Sequence, residues 1–354
     1  MTTVSLAPRG LAAGRFIKAL AVAKGDVMGA AAYAAGQWGN WRDTSHIELE
    51  LKTAVGAMTG DGDLVAPSSI AADLIELARP RSLIDRIPGF RIVPLNTWVI
   101  RFSGDVYAST VAEGAPKPVS KFAFDRVQLD PIKVTAMTVS TDELVRHADP
   151  SAELGLGREL GRALGTKGDL AFIDPDRAGS ITNGATVISS SGSSLAQIDA
   201  DLRSMFAYLA AADAQLDTAV FAMTATTAAY LGTLRGSGGA LAYPNINARG
   251  GTLVGIPVFI SAALRASGSP GEGAIVLFDP AQVLLGDGGQ IRLAAGTDTS
   301  IQMLDNPTND SGTGTATSMV SMFQTNSVAM RAERWAGWKR ASDTAVVVLD
   351  NVQY

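Results

Sequence analysis

Hydrophobic positions along this chain change spacing several times, and each change predicts a different element. Over 8–38, Phe16, Ile17, Leu20 and Val27 form an apolar stripe at helical intervals, with a break near Gly25 and Asp26. Residues 39–65 carry no period and predict irregular structure. Ser68 or Ser69 is placed to cap a short helix bearing Ile70, Leu74, Ile75 and Leu77, which Pro80 stops. Two long β-like runs follow, over 90–102 and 122–140, and flank a Pro- and Gly-bearing stretch over 105–121. Paired, they make a long two-stranded arm. An isolated hairpin is marginal in water, and its open edges invite pairing with other chains. Such an arm makes sense where another subunit supplies the missing contacts, so the pattern points to an assembly protein.

Residues 141–145 predict a short helical turn. Asp149 and Pro150 then place a cap and a first-turn proline at the head of a helix reaching about Phe172. Leu156, Leu160 and Leu164 share one face of it, but Gly155, Gly157, Gly161, Gly165 and Gly168 also lie within it. Each interior glycine costs about 1 kcal/mol relative to alanine, so close packing is expected to hold this helix. Residues 181–194, rich in Gly, Ser and Thr, read as a loop or domain crossing. A helix is predicted over 195–216, with Ile198, Leu202, Phe206 and Leu209 on one face, then a buried strand over 219–223 and a helix over 225–234. Strands are expected around 253–260, 274–278 and 283–285, a polar loop over 308–317, and strand-like returns over 319–335 and 344–349. No internal repeat is present.

Composition narrows this picture. The 354 residues suffice for two domains or one elaborated domain. Charged residues make up only 18% and glycine numbers 37, which suits a surface covered by neighbours. No apolar run is long enough for a membrane helix. Cysteine is absent, which excludes disulfides, thiolate zinc sites and cysteine nucleophiles. His46 and His147 are the only histidines, so no Ser-His-Asp triad or histidine-rich metal site is readable.

Charge is unevenly spread. Arg9, Arg15, Lys18 and Lys24 precede the first acidic residue, Asp26, and give the leader a charge of +4 against −9 for the remainder. A basic leader on an acidic body points to an anionic partner: nucleic acid, an acidic scaffold or a neighbouring subunit. The leader has no long apolar core and no convincing cleavage site, which argues against a targeting peptide. An ordinary amphipathic helix is the plain alternative. Thr-Gly-Asp-Gly-Asp over 59–63 lacks the remaining ligands of a calcium loop and reads as a turn.

The order of parts resembles the tailed-bacteriophage major capsid protein family, whose fold is often called Hong Kong ninety-seven. The resemblance covers roughly 64–349 and rests on six stretches in order. They are Leu-Val-Ala-Pro at 64–67, Val-Ala-Glu-Gly-Ala-Pro-Lys-Pro at 111–118 and Val-Ser-Thr-Asp-Glu-Leu at 139–144. The others are Asp-Leu-Ala-Phe at 169–172, Leu-Val-Gly-Ile-Pro-Val at 253–258 and Asn-Ser-Val-Ala-Met-Arg-Ala-Glu-Arg at 326–334. The resemblance implies an α+β fold with an N-terminal arm over 1–63 and a lead-in to the peripheral domain over 64–90. An extended hairpin loop over 91–139 and a spine helix with peripheral domain over 140–180 would follow. An axial α/β domain over 181–318 and return strands over 319–354 would complete it. It further implies hexamers and pentamers closing an icosahedral shell around double-stranded DNA. The expected partners are copies of the chain, a portal, a scaffold or maturation protease, a decoration protein and the packaged DNA. No cofactor and no membrane are implied. The expected location is the virion, after assembly in the host cytoplasm. DNA or scaffold contact would fall to Arg9, Arg15, Lys18 and Lys24.

One branch of that family is covalently cross-linked, a hairpin lysine attacking an asparagine amide on another subunit with help from a glutamate. Lys117, Asn326 and Glu333 match those positions. The reaction needs a neutral amine, against a usual lysine pKa of about 10.4; burial beside a carboxylate could supply one. The competing reading is that these residues serve ordinary salt bridges and sheet packing. Seven residues along a strand also put Asn326 and Glu333 on opposite faces unless a bulge intervenes. Two other readings stay open: a nanocompartment or gene-transfer-agent shell of the same fold, and an α/β enzyme or binding protein. For the latter, Arg-Gly-Ser-Gly-Gly at 235–239 looks like a phosphate loop, but it lacks the Lys-Ser/Thr ending and follows a helix.

Overall fold

A computed structural model describes residues 11–38, 64–65, 70–72, 74–75, 82–103, 110–111, 123–147, 150–211, 216–264, 273–304 and 319–354. In chain order the helices are α1 (Leu11–Val22), α2 (Val27–Trp38), α3 (Leu83–Arg86), α4 (Asp142–His147), α5 (Pro150–Ile173), α6 (Leu195–Ala211) and α7 (Ala225–Thr233). The strands begin with β1 (Leu64–Val65), β2 (Arg91–Ile92), β3 (Trp98–Ser103), β4 (Ala123–Gln128), β5 (Ile132–Thr141), β6 (Thr186–Ser189), β7 (Val220–Met223) and β8 (Ile246–Asn247). They continue with β9 (Gly250–Leu253), β10 (Ile256–Ile260), β11 (Gly273–Phe278), β12 (Val283–Gly296), β13 (Ser300–Gln302), β14 (Met319–Ser321), β15 (Ser327–Arg340) and β16 (Val346–Val352). Two compact units form, each from segments distant in sequence. Unit 1 takes residues 1–81, 133–167 and 289–335; unit 2 takes 82–132, 168–288 and 336–354.

Unit 1 packs helices on a sheet. Its strands follow the order β1-β12-β15-β5, with Leu64 opposite Leu293. Helix α1 is Ala- and Leu-rich and has no proline, and residues 16–21 are buried all round. Apart from Lys18, which is buried with them, these are apolar, as befits a helix held inside a fold. Its end is a Schellman arrangement: the Gly25 amide donates to the Leu20 carbonyl at 2.9 Å and the Lys24 amide to Ala21 at 3.0 Å. Lys24 and Gly25 both take positive φ, 56° and 89°. Asp26 then caps α2, accepting from the amides of Met28 and Gly29. The expected break near Gly25 and Asp26 is thus a tight helix–helix turn. Phe16, Leu20 and Ala30 share one core with Ile70, Leu74, Val134, Leu160, Ile291 and Met330.

Unit 2 is built on a seven-stranded mixed sheet in the order β6-β16-β11-β7-β10-β9-β8. Its central strands are buried on both faces, and the pleat sorts their side chains into two cores. Val220, Ala222, Val276, Phe278 and Val346 join Phe172 and Trp338 on one side. Phe221, Met223, Ile275, Leu277 and Val347 join Ile198, Leu202 and Met205 of α6 on the other.

Several expectations change. Parts of the expected arm lie elsewhere: among the described residues, the two runs pair only as β3 with β4, from Trp98 opposite Gln128 to Ser103 opposite Ala123. The first run is split by Pro94 and by Asn96 at φ 60°, and its start, β2, pairs in parallel with Leu284 and Leu285 of β12. The second run is split at Asp130 and Pro131, after which β5 lies at the end of the order β12-β15-β5 instead. Proline has no amide to give a ladder, so a run that contains one rarely continues as a single strand. The predicted loop over 181–194 contains β6, which pairs in parallel with β16 from Thr186 opposite Val347. The run over 253–260 is a hairpin turned at Val254 and Gly255, and the strand at 283 runs on to Gly296. The tip of the arm over 112–122 and the polar loop over 308–317 lie outside the described residues.

Candidate functional site

The β3–β4 hairpin starts from a root made flat by glycine. Leu95 and Leu129 flank its base, where the Asn96 amide donates to the Leu129 carbonyl at 2.9 Å. The Val93 amide donates to the Leu285 carbonyl at 2.9 Å, which continues the pairing of β2 with β12. A Cβ at Gly286 would lie 2.6 Å from Leu129 Cδ2 and 2.7 Å from Leu95 Cδ2. A Cβ at Gly337 would lie 2.6 Å from the Asp130 carbonyl oxygen and 2.9 Å from Leu95 Cδ2. At Gly337 the obstacle is backbone, so glycine is required for the root to sit where it does, whereas at Gly286 the nearest atoms are leucine methyl ends and the Val93 carbonyl at 3.0 Å. Neither contact was readable from sequence, since the pairs are more than 150 residues apart.

Above the root the two faces of the hairpin differ. On one face Arg101 bonds Asp125 across the strands at 3.0 Å and Asp343, just before β16, at 2.9 Å. This ties the arm to the body of unit 2. The other face carries Trp98, Ile100 and Phe124, which stands opposite residue 102 in the register. These three are 61%, 57% and 64% exposed. Large apolar side chains grouped on one exposed sheet face mark a surface that binds something.

The cross-link candidates are placed unequally. Lys117 lies outside the described residues. Asn326 is in a turn, at φ 48°, and its carbonyl accepts from the Asp142 amide at 2.9 Å. Strand β15 begins one residue later, so the strand alternation that set Asn326 and Glu333 on opposite faces does not reach Asn326. The extended backbone from 327 to 333 separates them by about 20 Å within one chain. Glu333 is buried, with Oε1 2.6 Å from Lys133 Nζ and 3.4 Å from Arg331 Nε. Lys133 and Arg292 both sit over the Trp335 ring, at 5.6 Å and 4.7 Å from its centre. The sequence reading missed Lys133.

The basic leader is mostly committed to unit 1. Arg9 lies outside the described residues. Arg15 is half-buried, its guanidinium 5.5 Å from the Trp38 ring centre. Lys18 is 3% exposed, so it presents no charge to solvent, contrary to its expected place on an open arm. Lys24 is exposed at the turn. The phosphate-loop look-alike closes on itself: Arg235 Nη1 donates to the Gly239 carbonyl at 2.7 Å, and the amides of Gly236 and Gly239 donate to Ala240 and Gly236 carbonyls at 2.9 Å. Those amides are not free to cradle an anion. No described helix is long and apolar enough to cross a membrane.

Comparison with known proteins agrees with the geometry. The capsid polyprotein of Pseudomonas phage PAJU2 is 36% identical over 327 residues, covering 86% of this chain and 48% of the relative. The major capsid protein of Klebsiella oxytoca phage phiKO2 is 24% identical over 295 residues, covering 79% of this chain and 66% of the relative. The chain thus spans about half the length of the first and about two thirds of the second. A solved structure from Gordonia phage Cozz, 20% identical, shares the fold with a TM-score of 0.54, covering 76% of this chain and 86% of that one. The α+β fold is the one that the order of motifs implied, of the Hong Kong ninety-seven type. Residues 62–351 match the phage capsid family, and the chain belongs to that family.

Proposed function

We propose that this chain is a major capsid protein whose copies self-assemble as hexamers and pentamers into an icosahedral shell around viral double-stranded DNA. Its role is structural. The observation that carries this reading is the exposed apolar face of Trp98, Ile100 and Phe124 on an arm anchored at Gly286 and Gly337. Fully burying each such side chain is worth about 1.5–3 kcal/mol, so a second copy laid under the arm gains several kcal/mol from this face alone. Repeated head-to-tail contacts of this kind close into rings. Electron microscopy and sedimentation of the purified protein test the reading. Wild type is expected as capsomer rings or closed shells, and the Trp98→Asp, Phe124→Asp variant as a folded monomer. A wild type that stays a compact monomer or dimer would overturn it.

The shell is held together without covalent bonds. Glu333 Oε1 is already engaged by Lys133 at 2.6 Å, which opposes its service as a base toward Lys117. Denaturing electrophoresis of assembled particles should give one band near 36.6 kDa, and ladders would reverse the assignment to Lys117, Asn326 and Glu333. The same reading takes in a portal, a scaffold or maturation protease, a decoration protein and assembly in the host cytoplasm. It assigns DNA or scaffold contact to Lys24, which is exposed, and to Arg9, ahead of Arg15 and the buried Lys18. That contact weakens steeply with salt. Lys24→Glu should lower DNA retention by purified particles at low salt; unchanged retention counts against it.

A further inference from the structure

Asn183 and Gly184 form the chain's one Asn-Gly pair, in the loop between α5 and β6. Asn183 is exposed, so water reaches it. Such a pair carries its own reaction. The backbone nitrogen of Gly184 can attack the side-chain carbonyl carbon of Asn183, and glycine has no Cβ to shield that nitrogen. A bond forms between Gly184 N and Asn183 Cγ, the Cγ–Nδ2 bond breaks, and Nδ2 leaves as ammonia with the proton of the Gly184 amide. Water then opens the cyclic imide at either carbonyl, which leaves aspartate or isoaspartate. Aspartate places a new negative charge beside Arg340. Isoaspartate adds a methylene to the backbone just before β6, whose Thr186 stands opposite Val347 of β16.

The fold holds this pair in a shape that does not react. The Ala185 amide donates to the Thr182 carbonyl at 3.0 Å, and Gly184 takes φ 67° while Asn183 stays out of the left-handed region. That is the pattern of a type II turn, which keeps ψ of its first central residue at about +120°. Ring closure needs the peptide plane between Asn183 and Gly184 swung to the other side, so the reacting atoms are not lined up for attack. Arg340 opposes that swing: its Nη2 donates to the Asn183 carbonyl at 3.1 Å and to the Gly184 carbonyl at 3.3 Å. The Asn183 side chain is held too, with Nδ2 donating to the Pro175 carbonyl at 2.9 Å, and its amide donates to Ser180 Oγ at 3.1 Å. Arg340 closes β15, and Trp338 of the same strand donates from Nε1 to the Gly179 carbonyl at 3.0 Å, which fixes the strand end against this loop. We propose that Asn183 is a latent deamidation site and that Arg340 is the positioning residue that keeps it unreacted. The inference stands on the single chain and does not depend on shell formation.

Peptide mass mapping after incubation in mildly alkaline buffer tests it, with the purified chain folded and unfolded in urea, and with Arg340→Met. Methionine keeps the apolar stem and drops every donor. Unfolded wild type should convert Asn183 readily and folded wild type hardly at all. Losing two hydrogen bonds from a charged donor should speed conversion in the folded variant about ten-fold or more. Folded wild type reacting as fast as the unfolded chain, or Arg340→Met reacting as slowly as wild type, would overturn the proposal. A merely structural role for Arg340 predicts something else: the variant would react only through global unfolding, and its rate would climb steeply with low urea. Release of the turn alone exposes little surface, so the clamp predicts a rate that urea barely changes; a steep climb overturns it. Should Arg340→Met not fold, Arg340→Lys decides. Its side chain keeps the charge but is one atom shorter and stops short of the two carbonyls, so it should react faster than wild type, and a rate equal to wild type overturns the clamp.

Discussion

Gly337 and Asp130 touch so closely that a single methyl group would separate them: a Cβ on Gly337 would lie 2.6 Å from the Asp130 carbonyl oxygen. The obstacle is backbone at the foot of β4, and it cannot swing aside as a side-chain tip can. Gly337→Ala should therefore displace the hairpin root and destabilise unit 2 by about 1–3 kcal/mol, the usual range for overpacking. At Gly286 the two closest atoms are the methyl ends of Leu95 and Leu129, at 2.7 Å and 2.6 Å, with the Val93 carbonyl at 3.0 Å. Gly286→Ala should cost less. Urea denaturation ranks the two, and hydrogen exchange over 98–103 and 123–128 reports whether the arm has moved.

Val254 occupies a position that its side chain dislikes. The β9–β10 hairpin turns on Val254 and Gly255 between Leu253 and Ile256, which are register partners. Both turn residues have positive φ, 52° and 83°, as a type I′ turn requires. A β-branched residue at positive φ is strained, and Val254 is 65% exposed, so it gains little burial in return. Val254→Asn keeps the turn and relieves the strain. It should raise stability by about 1 kcal/mol, read as a higher urea midpoint at unchanged slope.

The glycines of α5 separate into two kinds. Gly157, Gly161 and Gly165 are buried, as close packing requires. Around Gly155 and Gly168, a Cβ would meet nothing within 4 Å. Gly155→Ala and Gly168→Ala should each stabilise the isolated chain by about 1 kcal/mol through helix propensity alone. Thermal melting of the unassembled variants checks this, and a loss of stability at either position would refute it.

Local signals were legible and distant ones were not. Helix α5 could be read because Pro150 opens it and leucines repeat every four residues, and both signals act within one turn. Strands β7, β11 and β16 could be read as short apolar runs. The partner of a strand could not: β5 looked like the return limb of the arm, yet it pairs within the order β12-β15-β5. Thr186–Ser189 looked like loop because its strand state comes from pairing with β16, more than 150 residues away. The same limit hid the site. Trp98, Ile100 and Phe124 lay in plain β-runs, but only the register puts them on one face, and only tertiary contact gives Gly286 and Gly337 a purpose.

Lys133 and Glu333 give the last prediction, because one partner is buried and the other is half exposed. The Lys133 side chain is 50% exposed and the Glu333 side chain 3%, with 2.6 Å between charges. Removing Lys133 leaves a buried carboxylate with Arg331 Nε at 3.4 Å as its remaining cationic contact. An orphaned buried charge is more costly than the lost ion pair itself. Lys133→Ala should cost about 1–3 kcal/mol, and Arg331→Ala less. The double variant Lys133→Ala, Glu333→Gln should recover part of that loss, since the amide needs no counter-charge. Lys133 also covers one side of the Trp335 ring, a contact worth about 0.5–1 kcal/mol that the double variant does not restore. Urea titrations of the three variants at one pH separate these contributions. Equal losses for Lys133→Ala and the double variant would mean that packing on Trp335, and not charge, makes Lys133 matter.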